Sequence, residues 1–494
     1  MRYRNPVLKG FYPDPSICCV DGVYYMVCSS FQYFPGVPLF ESRDLVNWKQ
    51  IGHVLTRPSQ IALADVPSSG GVFAATIRHH GGRFYMTTTN NSTQQNFYVW
   101  TDDIHGAWSD PIVVEQDGID PSFFFEDGKA YFMSTGRDDF GISGIIQSEI
   151  DLETGKKLTP SRSIWKGTGG RFVEGPHLYK IGKFYYLLAS EGGTEYGHML
   201  TLCRSESPWG PFENCPHNPI LTNRNKAPYL IQAIGHGELL TGPDGNWYVP
   251  TLGFRQIHQW MPYHHLGREV FLTPARLTDD GWFVCGNDGT TDESYEVSIL
   301  SRQEEKRVWT FENTAWDIDW CFLRHPGMEN YQFSADKLVL QGTDISLNDA
   351  KNPTMVAIRQ RDFCGEMACY VSVNGGEGGV TVYMCEESHY DIGIRKTDDG
   401  FEALLRLRLG DIDHIEKTLP LGCGQARLSI RFEAQRYYFY ANGQLLGSAQ
   451  SRFLSSEVMT GFTGVVIGLY AVGQNSCTFT GFSLAYHDEE GGNA

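Results

Sequence analysis

No stretch of the 494-residue chain approaches the ~20 consecutive apolar residues needed to span a bilayer, which excludes a helical membrane protein. Positive charge is scarce. Forty Lys and Arg face 58 Asp and Glu, and the formal charge of −18 argues against nucleic acid or an anionic membrane surface as partner. A neutral ligand is not penalised by such a field. The twelve cysteines include no C-x-x-C pair, which speaks against a zinc ribbon or a redox motif. Met1–Lys9 (MRYRNPVLK) carries no apolar h-region of a secretory signal, which points to the cytoplasm, where the thiols are expected to stay free and often buried. Helical periodicity is weak throughout, which excludes architectures of alternating strands and helices.

What the chain does have is a repeat. At 494 residues it is too long for one ordinary core, so two domains are expected. Five segments share a glycine turn followed by an aromatic and apolar run: DGVYYMVCS from Asp21, GGRFYMTTT from Gly81, DGKAYFMST from Asp127, IGKFYYLLA from Ile181 and DGNWYVPTL from Asp244. Each has Gly at a fixed place (Gly22, Gly82, Gly128, Gly182, Gly245) and Tyr three residues later (Tyr25, Tyr85, Tyr131, Tyr185, Tyr248). Glycine accepts φ > 0 without steric cost, and the β-branched and aromatic runs suit strands, so each segment reads as a hairpin. Five hairpins spaced 46 to 63 residues apart predict an all-β chain opening with a five-bladed β-propeller over residues 1–295. The tryptophans of DLVNW (Asp44–Trp48), GAWSDP (Gly106–Pro111) and SPWGPF (Ser207–Phe212) are expected to pack outer strands.

Counting back eight residues from the repeat glycine gives Asp14, Ala74, Asp120 and Glu174 in the first four repeats. The fifth hairpin looks about two residues longer, and the matching stretch is GHGEL (Gly235–Leu239). Equivalent positions in a propeller lie at equivalent radii, so three carboxylates distant in sequence should meet at one mouth of the central channel. Taken singly, each acid reads as a turn residue beside a proline; taken together they read as a site. Glycoside hydrolysis needs one protonated and one ionised carboxyl, and a third negative charge favours retention of the proton near neutral pH. Spacing alone does not say which acid plays which part.

The stretches NPVLKGFYPDPS (Asn5–Ser16), GIDPSFFFEDGKAYF (Gly118–Phe132), EGPHLYKIGKFYYLLASEGGTEYGHM (Glu174–Met199), GHGELL (Gly235–Leu240) and HLGRE (His265–Glu269) resemble glycoside hydrolase family 43, in its β-xylosidase and α-L-arabinofuranosidase branch with a C-terminal sandwich. The resemblance implies an inverting mechanism with Asp14 as general base, Glu174 as general acid, and Asp120 tuning the acid and holding substrate. Inversion calls for about 6.5–9.5 Å between base and acid. It further implies that Arg268 hydrogen-bonds sugar hydroxyls, that Phe31 and Phe73 line the pocket, and that His236 lies near the axis. No cofactor is required; a largely hydrated divalent cation such as calcium is compatible with the place near His236. The chain departs from many members at Phe73–Arg78 (FAATIR, where Trp then Ala-Pro is usual) and at Gln256 (where proline is common), and these departures bear on sugar preference.

After about Thr291 the pattern changes. The charged run Ser301–Arg307 reads as a solvated link. Alternation then dominates, as in Leu428–Ala449 with its Asn442-Gly443 turn, and predicts a β-sandwich over residues 308–494. WCFLRHP (Trp320–Pro326) and FTGVVIGLYA (Phe462–Ala471) resemble the family's concanavalin A-like domain, which in relatives leans on the propeller and lends a loop to the pocket. The expected activity is exo-cleavage of a terminal pentose from xylo- or arabinoxylo-oligosaccharides, as a β-xylosidase, with α-L-arabinofuranosidase or dual activity as the second enzymatic reading. A non-catalytic sugar-binding propeller and a structural metal site built from the same acids are readings of other classes. The partner is an oligosaccharide, with no nucleic acid or membrane; a homo-oligomer is compatible with the sequence.

Overall fold

The computed structural model describes residues 2–226, 228–258, 260–297, 308–310, 316–334, 336–474 and 476–487; the charged run 301–307 lies outside them. The repeated glycine turns do what the sequence asks of them. Asp21 and Gly22, Gly81 and Gly82, and Asp127 and Gly128 all adopt positive φ, and each pair joins the innermost strand of a blade to the next strand out. Gly182 and Gly245 serve the fourth and fifth hairpins.

Five antiparallel sheets result. Their innermost strands are Ser16–Val20, Val72–His80, Ile119–Glu126, Glu174–Ile181 and Ile231–Gly237, followed outward by Val23–Val27, Arg83–Asn90, Lys129–Arg137, Phe184–Glu191 and Trp247–Arg255. The innermost strands pack against one another around an axis. Between blades the filling is aromatic and aliphatic: Phe123 meets Tyr85 and Tyr98 of the preceding blade, and Phe124 meets Tyr185 of the following one. Trp108 is buried in the core between the first two blades. The ring closes through the N-terminus. Arg2–Arg4 pairs with Ser294–Glu296, and Val7 and Leu8 bond to Val270 of the fifth blade.

The second unit is two eight-stranded antiparallel sheets face to face. One runs through Ser476–Tyr486, Gly365–Val373 and Gln425–Glu433, the other through Glu377–Cys385, Val466–Val472 and Thr354–Arg359, with Leu428, Ile430, Val382, Leu469 and Phe479 buried between them. Asn442 and Gly443 form the expected hairpin turn, both at positive φ. The last strand of the second sheet comes from the propeller: Tyr33–Phe34 pairs with Cys321–Leu323, Phe322 opposite Phe34 and Leu323 opposite Tyr33. The two units therefore share a sheet.

All twelve cysteines are free, and seven of them are buried, where they act as small apolar side chains. Among the described residues no helix is long and apolar enough to cross a membrane.

Candidate active site

The innermost strands begin irregularly. The register slips between Val72 and Ala75, between Ile119 and Ser122, between Glu174 and His177, and between Gln232 and Gly235. A bulge leaves a residue unpaired and re-aims its side chain, and repeated at one height around an axis it turns side chains into the channel mouth. Asp14 and Asp120 themselves stand at positive φ (56° and 55°), a conformation Asp tolerates better than most residues. In the fourth blade the left-handed position passes to Gly175 (φ 57°), which leaves Glu174 in ordinary strand geometry. The eight-residue register thus finds all three acids, while the fourth blade presents its carboxyl one residue earlier in the bulge.

The side chains of Asp14 and Asp120 are 5% and 7% exposed, so their charges are felt strongly. Ser29 donates its hydroxyl to Asp14 Oδ2. Arg268 Nη1 and His236 Nδ1 stand 3.5 Å and 3.7 Å from Asp14 Oδ1. Burial pushes the Asp14 carboxyl up, but the Arg268 guanidinium, His236 and the Ser29 hydroxyl together outweigh it and hold it below the usual aspartate value. Asp120 goes the other way. Burial, with the negative charges of Glu174 and Asp14 added, raises it to about 7 against the pull of His236 and the Gly175 backbone. One buried acid is therefore kept ionised and another keeps a proton to near neutrality, within one cluster.

Glu174 is the most accessible of the three acids, and its Oε1 lies 3.5 Å from Nε2 of the fully buried His198. His198 Nδ1 is 3.1 Å from the Ala233 carbonyl, to which it donates, and Nε2 turns to the carboxyl.

His236 lies at φ 41° with its backbone N–H donated to Ser190 Oγ at 2.6 Å, and its ring covers Gly175, where a Cβ would come within 3.1 Å of it. Below the acids a second layer ties the blades together. Ser16 donates to Glu238 and accepts from Ile77 N, Ser122 donates to the Pro176 carbonyl, and Arg78 donates to Glu238 at 2.8 Å and to His177 Nδ1 at 2.9 Å. Burial first, then Arg78 and His236, hold the His177 imidazole well below its usual value, so it is neutral. These residues do not form a cage for a divalent ion, which wants 6–8 oxygen donors. Near His236 the aspartate at 3.7 Å, Asp14, already faces Arg268, and among the described residues no three His, Cys, Asp or Glu side chains gather as a ligand set.

The wall of the pocket is aromatic. Phe31 and Phe73 lie with ring centres 5.5 Å apart, and Phe462 of the sandwich stacks on Phe31 at 5.9 Å and meets Phe73 edge-on at 6.1 Å. Arg268 lies over the Phe31 and Phe462 rings, donates to Thr194 Oγ1 at 2.7 Å, and donates to the Phe462 carbonyl at 3.1 Å. The loop carrying Phe462 comes this close because Gly464 lies against Leu266 and Gly267; a Cβ on Gly464 would sit 2.2 Å from the Leu266 carbonyl. All seven residues singled out in the sequence lie in this one neighbourhood. Sequence reasoning missed Ser29, Arg78, Thr194, His198, Glu238 and Phe462. Ser16 and Ser122 follow Asp14 and Asp120 at the same two-residue step, a regularity that was there to be used.

Glycosyl hydrolases family 43 matches residues 3–283, and the β-xylosidase C-terminal concanavalin A-like domain matches residues 309–484. A non-reducing end α-L-arabinofuranosidase of Bacteroides ovatus is 39% identical over 95% of this chain and 91% of its own. A xylosidase/arabinosidase of Butyrivibrio fibrisolvens is 35% identical over 97% and 99%. A β-xylosidase of Bacillus subtilis is 36% identical over 66% of this chain and 65% of its own. Among solved structures, Bacteroides ovatus xyloglucan PUL GH43B superposes with a TM-score of 0.92 at 36% identity, covering 99% of this chain and all of that one. The xylan β-1,4-xylosidase of Bacillus halodurans gives 0.90 at 28% identity over 98% and 100%.

Proposed function

The chain belongs to glycosyl hydrolases family 43 and is a glycosidase, and from that premise we propose that it releases single terminal pentoses from xylo- or arabinoxylo-oligosaccharides with inversion at the anomeric carbon. The observation that carries the proposal is the opposed electrostatics of two buried acids that meet Glu174 in one cluster: Arg268 and His236 hold Asp14 below the usual aspartate value, while burial and the neighbouring charges of Glu174 and Asp14 raise Asp120 to about 7. Asp14 takes a proton from the attacking water. Glu174 gives its proton to the departing glycosidic oxygen, and His198 orients that carboxyl. Asp120 lies buried beside Glu174 and Asp14 and hydrogen-bonds substrate hydroxyls. Arg268 holds Asp14 and reaches the sugar hydroxyls, while Phe31, Phe73 and Phe462 close the far end, which favours one terminal sugar over an internal one.

β-D-Xylopyranosides are the first substrate. α-L-Arabinofuranosides are the second, supported by the Bacteroides ovatus relative at 39% identity. The two present similar atoms around the scissile bond, and one pocket serves both. The test uses nitrophenyl β-D-xyloside and nitrophenyl α-L-arabinofuranoside for activity, then xylobiose and β-D-xylosyl fluoride for the roles. Glu174→Gln is expected to lose about 10²–10⁴-fold in kcat on xylobiose, whose sugar leaving group needs the acid, and far less on the fluoride, whose leaving group does not. Asp14→Asn is expected to lose both. Proton NMR of the first product should show the α-anomer of xylose; β-xylose formed first means retention and overturns the mechanism, and inertness of wild type on both nitrophenyl glycosides overturns the function.

A further inference from the structure

Two residues before Glu174 stands a side chain that the reaction as described leaves unused. Phe172 is 62% exposed, among the most exposed large apolar residues of the described chain, and its backbone is in the left-handed region (φ 50°), which a bulky aromatic residue seldom adopts. The next residue, Val173, packs inward beside Phe124, Trp165 and Leu178. The backbone thus turns one side chain into the core and the neighbouring ring outward, at a position where nothing in the core requires a ring.

The segment that presents this ring is firmly held. Glu191 is fully buried and its carboxylate accepts the backbone N–H of Thr168 at 2.8 Å and of Gly170 at 2.7 Å, with the Thr168 and Thr201 hydroxyls as further donors. The Arg171 carbonyl accepts the N–H of Gly192 at 2.7 Å, and the Arg171 guanidinium lies 4.9 Å from the Phe172 ring centre while it pairs with Glu195 at 2.9 Å. Phe172 lies against Gly193, and the next residue, Thr194, bonds Arg268 in the pocket. An exposed apolar ring on a strained backbone, fixed by a buried carboxylate at the rim of a site, is a binding surface rather than a folding element.

Its position decides what it binds. Phe31, Phe73, Phe462 and Arg268 pack together on one side of the acids, and the rest of the substrate has to leave past the group that protonates the glycosidic oxygen. That group is Glu174; Phe172 precedes it by two residues and lies against Gly193, whose neighbour Thr194 bonds Arg268. We propose that Phe172 is the platform for the leaving-group sugar, its ring packing on the C–H face of the second residue of the oligosaccharide. The inference rests on the function proposed above, with Glu174 as acid.

The experiment compares xylotriose with β-D-xylosyl fluoride, whose leaving group is a single atom, in wild type, Phe172→Ala and Phe172→Tyr. Phe172→Ala is expected to lose roughly tenfold in kcat/KM on xylotriose and nothing on the fluoride, and Phe172→Tyr to restore the xylotriose rate. An equal fall on both substrates would assign Phe172 to the positioning of the acid's loop and overturn the proposal. Unchanged kinetics on both would overturn it as well. Should wild type cleave no pentoside at all, the function itself fails, an outcome distinct from either of these.

Discussion

At the scale of single residues, the site works by setting like groups apart. Asp14 and Asp120 share a burial, a register and a left-handed backbone, and only their neighbours differ. Arg268 and His236 claim Asp14; Asp120 is left facing Glu174 and Asp14, and its carboxyl rises to about 7. Two consequences follow with definite signs. The rate should fall with an alkaline limb near pH 7, as Asp120 loses its proton, and Asp14 should stay ionised to below the usual aspartate range on the acid side. Asp120→Asn removes the carboxyl that titrates at about 7, so kcat/KM falls and the alkaline limb near pH 7 disappears from its pH profile. Stability responds in the opposite sense. A carboxyl raised in the folded state costs nothing while protonated, below its unfolded value of 3.8, and destabilises increasingly as pH rises through about 7. Asp120→Asn should therefore melt above wild type at pH 8 and show a shrinking difference toward pH 4; a difference independent of pH would contradict the assignment. The positions of the three acids were legible in the sequence because the repeat fixes them. Their electrostatic partners were not. Arg268 was reached only through the family resemblance, and Ser29 and His198 lie just outside the strands Val23–Val27 and Met199–Ser205, in stretches whose composition says nothing about which side chain faces the axis.

At the scale of elements, the repeat unit is a hairpin followed by a bulge, and the two were unequally visible. The hairpins announce themselves, because Asp-Gly and Gly-Gly between aromatic runs admit few other structures. The bulges do not, since a register slip depends on how the innermost strands crowd the axis. That is why counting residues from the turn gave three acids that lie together and the wrong equivalence in the fourth blade, where Gly175 takes the left-handed place. Gly175 makes the point testable. At φ 57°, with the His236 ring 3.1 Å from the place of a Cβ, alanine would carry both a backbone penalty and a steric one. Gly175→Ala is expected to cost about 1–2 kcal/mol of stability, and to lower kcat more than this loss alone explains, because the displaced groups are His236 and Glu174. Thermal unfolding and steady-state kinetics on the same preparation separate the two effects. A variant that melts early yet turns over normally would mean that the bulge shapes the fold and not the site.

At the scale of the molecule, the propeller and the sandwich behave as one body because neither is finished without the other. The sandwich sheet ends on Tyr33–Phe34, and the cluster of Phe11, Phe31 and Tyr33 with Leu323, Met355, Tyr383 and Tyr470 draws on both units. Arg359 of the sandwich lies buried among the rings of Phe11, Tyr12 and Tyr33, at 5.8, 5.0 and 5.7 Å. Arg324, fully buried, donates to the Val66 carbonyl of the propeller, to the Lys351 carbonyl at 2.7 Å, and to Glu386, which in turn accepts the Ser68 N–H at 3.2 Å. The same contact surface delivers Phe462 to the pocket, so the integrity of the junction and the completeness of the site are one property. Calorimetry of the full chain should accordingly give a single unfolding transition, with activity lost over the same temperatures. Glu386→Gln leaves the Arg324 charge buried without its counter-ion, a loss of about 3–5 kcal/mol where such pairs are broken from one side. The variant is expected to unfold in one transition at a lower temperature, and to lose activity at that lower temperature. Two separate transitions, with only the sandwich affected by the substitution, would show that the shared strand holds the units side by side without making them cooperative, and that Phe462 reaches the pocket from an independent domain.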